Sequence, residues 1–270
     1  MFALISILLS LCVLIALFQV SQHRQSVQQR KLDILILLRQ ILLLCRKHRS
    51  LTHQAITLPT SSTQHHTLKD LDHQLIQISN QLITVAHFDN KPIYRIFQQS
   101  LNKLRHDWQE CSPARNQIIH GKAIRHCMFL MDDIVIAWLA ESGRDELTEE
   151  YHMNWQIILD GMEILTQLRI AIEHIHQPKG LQCVQGYCEK MKRKLNQLSL
   201  ICPISLASPH STQCVNELIQ VIENKTNGIE TEHLYQLTTD LSLVLSQVYD
   251  QVLSDITQNL YLPLPELTLN

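Results

Sequence analysis

The chain has 270 residues and a mass of 31.3 kDa, and its 23 Lys and Arg against 25 Asp and Glu give a formal charge of -2 with all 15 His neutral. That balance lacks the basic excess, gathered on one face, by which proteins grip nucleic acid. Only 6 residues are Gly, and none stands in a GxGxxG or GxxxxGKS/T arrangement, so a dinucleotide or P-loop cofactor site has no basis here. Apolar residues, mostly Leu and Ile, recur at three- and four-residue steps, which predicts helices throughout and an all-α fold.

Residues 1–20 contain no charge, and at 1.5 Å per residue a helix needs about twenty residues to cross a hydrocarbon core. No Lys or Arg precedes the run, and Gln19-Val20-Ser21-Gln22 is a poor cleavage site, so a transmembrane anchor is expected rather than a signal peptide. Arg24, Arg30 and Lys31 follow it, which places the body of the chain in the cytoplasm. Leu32 to Cys45 is also strongly apolar, but it is short and contains Asp33, Arg39 and Gln40. It reads as a buried core helix or as a dimer seam of coiled-coil type. The eight Cys fall singly within or beside helices and read as small buried hydrophobes.

The anchor is expected to run unbroken into a cytosolic helix ending near Ile56, where a Thr/Ser/Pro loop follows. A second helix is predicted over 67–87 and a third over 93–109, after a turn that places Pro92 at the helix start. Ser112-Pro113 opens a fourth helix that reaches Ser142, with Gly143 as its C-terminal stop. A fifth spans 146–177, and weaker segments follow at 181–200, 212–224 and 231–260. Gly121 and Gly161 lie inside helices four and five, each costing about 1 kcal/mol relative to Ala. Short connections make the eight helices an antiparallel up-and-down arrangement. The division is then an anchor at 1–20, a helical domain at 21–262 and a tail at 263–270.

No HExxH, GxSxG or CxxC motif is present. His120, His126 and Cys127, with Asp132 and Asp133 beyond them, do not share one helical face. No catalytic residue, metal site or cofactor is therefore expected, and the chain reads as a non-enzyme. Three features carry more chemistry. Arg46-Lys47-His48-Arg49 clusters cations near the predicted end of the first helix, where a helix C-terminus and solvent would accommodate them. Asp132-Asp133 sits inside an apolar stretch, so at least one carboxylate should pair with a base or join a polar network. Arg169 is a lone cation with apolar residues on both sides. Two readings follow. Arg49 and Arg169 converge to grip a small planar anion with their forked guanidiniums, or either one pairs with Asp132 or Asp133.

At these residues the sequence resembles the nitrate- and nitrite-sensing (NIT) domain family in its membrane-anchored bacterial form. The resemblance rests on Leu37-Leu38-Arg39-Gln40 through Cys45 to Leu51, on Asn116, His120 and Ile124-Arg125 through Leu130 to Asp133, and on Trp155 through Met162 to Arg169. It implies a bundle sensor of two packed four-helix bundles at a bacterial inner membrane, with Arg49 and Arg169 contacting nitrate or nitrite and Arg46, Asp132 and Asp133 in support. The family usually has Gly where this chain has Ser50, and small residues where it has Ile170, so both positions carry more bulk. No kinase, chemoreceptor, cyclase or RNA-binding output module fits in 270 residues, so a signal would leave through a partner protein or a dimer rearrangement. The rival reading is a ligand-free, membrane-tethered scaffold or dimerisation module built on the Leu32 to Cys45 seam.

Overall fold

The computed structural model describes residues 2–57, 62–203, 207–223, 230–260 and 264–265, without the side chains of residues 2–5, 7, 8, 62 and 63. Among the described residues the chain is all-helical. The helices are α1 (Phe2–Thr57), α2 (Ser62–Val85), α3 (Lys91–Asp107), α4 (Pro113–Ser142), α5 (Asp145–Glu173), α6 (Gly180–Ile201), α7 (Pro209–Ile222) and α8 (Thr231–Asn259). Short 3-10 turns at Phe88–Asn90 and Trp108–Glu110 flank α3.

Helices α1 and α4 pack on each other, with α2 and α3 closing a ring on the other side; α5, α6, α7 and α8 close a second ring, and α4 against α5 joins the two. One apolar core runs through both rings, from Leu35, Leu38 and Ile41 of α1 to Leu245, Val248 and Leu253 of α8. The Leu32 to Cys45 stretch is consumed by this core. Leu32, Ile34, Leu35, Leu38, Ile41, Leu42, Leu44 and Cys45 are all buried within the chain itself, so a dimer seam along that stretch does not hold.

Local chemistry explains the helix ends. The Ser112 hydroxyl accepts from the Arg115 N–H at 3.2 Å with Pro113 behind it, and Gly143 takes the left-handed conformation (φ 63°) that terminates α4. The same Ser-Pro signal opens α7 three residues ahead of the expected start, with the Ser208 side chain accepting from the Ser211 N–H at 3.2 Å. Helix α5 stops at Glu173, short of Gln177, because Pro178 cannot donate to the carbonyl four residues back and its ring collides with it. Helix α2 starts earlier than predicted, since the polar Gln64, His65 and His66 stand on its outer, more exposed surface. Gly161 lets α5 approach α8 closely, as a Cβ there would meet Leu245 Cδ2 at 3.1 Å. The Cys reading holds for six of the eight thiols; all eight are free, but Cys12 and Cys183 are exposed.

The expected anchor lies partly outside the described side chains, which begin, apart from Ser6, at Leu9. Among the described residues no helix is long and apolar enough to cross a membrane. Leu9, Leu11, Val13, Leu14, Ile15, Leu17, Phe18 and Val20 nevertheless form an exposed apolar sleeve around α1, each between 49% and 66% accessible.

Gly180 marks the tightest joint. A Cβ there would stand 2.1 Å from the His174 carbonyl oxygen and 2.6 Å from that of Ile175, both backbone atoms that cannot swing away. Gly180→Ala is expected to lower the melting free energy by about 2 kcal/mol or more. Gly186→Ala, mid-α6 with open space around its Cβ, should raise it by about 0.5–1 kcal/mol. Thermal melts of the two variants check both signs.

Candidate anion site

Helix α1 ends at Thr57, beside the expected Ile56, but Arg46, His48 and Arg49 lie about two to three turns before that end and are carried into the interior rather than to a solvated helix end. Four-residue spacing places Arg49 with His53, and His48 with Thr52, along adjoining strips of α1. The same spacing aligns Asn116 and His120 on α4.

Arg49 is 1% exposed, and its Nε, Nη1 and Nη2 have no hydrogen-bond partner among the described residues. Burial pushes the guanidinium down to about 9, with Arg46 adding to the shift and Cys45 opposing it, so the group is still charged at neutral pH. Arg169 on α5 is also buried; its Nε donates to Thr238 Oγ1 at 3.1 Å and its Nη2 to the Thr238 carbonyl at 2.9 Å. Burial, then Arg49, then Arg46 push it well below the usual arginine range. Among the described residues neither arginine has a carboxylate within ion-pair distance.

The two arginines share their surroundings. Burial lowers both His53 and His120, and the charges of Arg49 and Arg169 act on each ring in the same direction. Tyr235 of α8 packs its ring 4.5 Å from that of His53 and feels the Arg169 charge. Thr52 receives a hydrogen bond from Asn116 Nδ2 at 3.1 Å. The site is thus assembled by α1 and α4 from one ring and α5 and α8 from the other. A positively charged, desolvated group of donors with an unsatisfied guanidinium is chemistry for holding an anion.

The other predicted residues lie elsewhere or act differently. Arg46 donates from Nη1 to Ser246 Oγ, while Asp250 partly offsets the burial that takes it down to about 10. Asp250 Oδ1 accepts from Arg39 Nε at 3.0 Å. Asp132 is no counter-charge to the arginines. It stands 12 residues, about 18 Å, beyond His120 along α4. Burial raises its carboxyl and the Tyr151 hydroxyl opposes the shift, in a polar cluster that includes Tyr249. Asp133 faces solvent. Among the described residues no group of three or more His, Cys, Asp or Glu is placed to hold a metal ion.

The sequence names His48 only as one of the helix-end cations and gives no role to Thr52, His53 or Thr238. The signal for Thr52 and His53 was the four-residue step from His48 and from Arg49, which sets polar side chains along one side of α1. No family model matches the chain, and no curated protein and no solved structure matches it.

An unpaired buried charge destabilises the fold that holds it. Arg49→Met, which fills similar volume without a charge, is expected to stabilise the anion-free protein by about 1–4 kcal/mol. Chemical denaturation in buffers free of oxyanions measures the difference; a destabilised variant would mean that the guanidinium is already compensated.

Proposed function

We propose that the chain is a membrane-anchored sensor of a small planar oxyanion, nitrate or nitrite, held between Arg49 and Arg169. The observation that carries this reading is the fully buried Arg49 guanidinium, whose nitrogens lack any acceptor among the described residues while a second buried arginine lies in the same surroundings. A planar oxyanion offers acceptors in the plane of a guanidinium fork, a match that spherical chloride does not provide. The reading agrees with the resemblance to the NIT domain family at the same two arginines. Residues 1–20 serve as the anchor in a bacterial inner membrane, supported by the exposed apolar sleeve from Leu9 to Val20 and by Arg24, Arg30 and Lys31 on the cytoplasmic side.

Signalling follows from the site's position between the two rings. With the site empty, like charges on α1 and α5 repel; an anion between them favours the arrangement in which the helices approach, and the population shifts accordingly. The change is read by a partner protein or through rearrangement of a dimer.

Calorimetric titration of the full chain in detergent micelles with nitrate, nitrite and chloride tests the assignment. Saturable binding of nitrate or nitrite that chloride does not reproduce is expected. Arg49→Ala and Arg169→Ala should each weaken it about tenfold or more, the equivalent of losing one charge-assisted hydrogen bond. Binding left intact in both variants, or absent from the wild-type chain, overturns the assignment. The anchor is tested separately, since the full chain should float with lipid vesicles and a chain lacking residues 1–20 should not.

A further inference from the structure

A chain of contacts leads from the protein surface to the arginine site. Asp72 of α2, about a quarter exposed, receives the Arg105 Nε–H at 3.1 Å and places the same Oδ1 at 3.3 Å from His48 Nε2. His48 Nδ1 lies 2.8 Å from His120 Nε2, and His120 Nδ1 lies 2.8 Å from the Asn116 carbonyl oxygen. Both rings are completely buried and stack with centroids 5.1 Å apart.

Counting protons along this chain gives an uneven sum. The Asn116 carbonyl only accepts, so His120 Nδ1 carries a proton, and Nε2 of a neutral His120 must then accept from His48 Nδ1. That leaves His48 Nε2 facing a carboxylate oxygen, and two bare acceptors at 3.3 Å would repel. Three contacts need three protons, whereas two neutral imidazoles supply two. Arg105 and His48 together hold the Asp72 carboxyl below its usual range, and burial beside His48, Arg49 and Arg169 keeps His120 well below its own. The third proton therefore belongs on His48.

We propose that Asp72, His48 and His120 bind one proton as the companion of the anion at Arg49 and Arg169, so that anion and proton are taken up together. This rests on the anion reading above and assigns its regulation. The charged and titratable groups facing the pair are Arg49 on α1, Asp72 on α2, Arg105 on α3 and Arg169 on α5, with His53 and its neighbour Glu232 beyond them. The arginines disfavour an additional buried proton, and Asp72 alone among the near groups favours it. An anion cancels arginine charge and so strengthens proton binding. By reciprocity, protonation strengthens anion binding, and affinity falls as pH rises and the pair gives its proton up. Asp72 acts through His48 and is a positioning residue.

The test uses the full chain in detergent micelles with 15N-labelled histidine. With nitrate bound at pH 6, His48 is expected to show both ring nitrogens protonated in the wild type and one in Asp72→Asn. Nitrate titrations in two buffers of different ionisation enthalpy should show uptake of up to about one proton per anion, with an affinity that falls as pH goes from 6 to 9. Asp72→Asn should abolish both the uptake and the pH dependence, and Asp72→Glu should restore them. Asp70→Asn, a control at an exposed carboxylate beside the exposed His66, should leave them unchanged. A His48 that stays singly protonated in the wild type with nitrate bound at pH 6 overturns the proposal. So does nitrate binding without proton uptake, or with uptake indifferent to Asp72, and in both cases the anion reading survives. Failure of nitrate and nitrite to bind at any pH removes the anion reading and the linkage with it.

Discussion

A guanidinium enclosed by helices and given no acceptor is among the costlier things a fold can contain, because desolvation of the ion is not returned by a partner. Among the described residues Arg49 is such a group, and much of the surrounding architecture is intelligible as a response to it. Apart from Arg46, the neighbours on α1, α4 and α8 are neutral polar or imidazole side chains, able to solvate an ion without neutralising it. The carboxylates stand back at the rim, where Asp250 serves Arg39 and Arg46, Asp72 serves Arg105 and His48, and Glu232 lies 3.5 Å from His53. A carboxylate at the centre would have stabilised the empty protein and closed the site to anything else.

The two rings of helices divide the labour. Helices α1 and α4 supply Arg49 and the His48–His120 pair, while α5 and α8 supply Arg169 and the threonine that fixes it. Thr238 holds two nitrogens of Arg169, so that arginine is oriented, and Arg49 has no fixed partner among the described residues. One half of the site is therefore preorganised and the other adaptable, with the junction between the rings passing through it. The buried Tyr151, Tyr249 and Asp132 form a separate polar cluster within the core, linking α4, α5 and α8 away from the arginines.

Much of this was readable before any coordinates. Helix ends written in local chemistry, such as Ser112-Pro113 and Gly143, need only a few neighbouring residues and were legible from them. Arg49 and Arg169 were conspicuous because a cation among apolar residues must be dealt with somehow. What could not be read was how. The partner of Asp132 depends on where α5 and α8 cross α4, and the meeting of His48 with His120 depends on the register of two helices 72 positions apart in sequence. The end of α1 was legible to within a residue, but whether the cations of Arg46 to Arg49 meet solvent or the core depends on which helices pack against its last turns.

Helix α1 is a single element of 56 residues, about 84 Å long. Its middle is clamped in the core from Leu32 to His53, while Leu9 to Ser26 stand exposed. Arg49 and Val20 are 29 residues apart, which puts them about 43 Å from each other along the axis and within about 20° of the same helical face. The protruding part is thus a cantilever whose angle is set inside the bundle. A tilt of about 6° where the helix leaves the core at Leu32 would sweep Val20, 12 residues or about 18 Å away, sideways by about 2 Å. A displacement too small to alter the packing of any core side chain becomes, at the apolar end, as large as the step between neighbouring atoms on a docking surface.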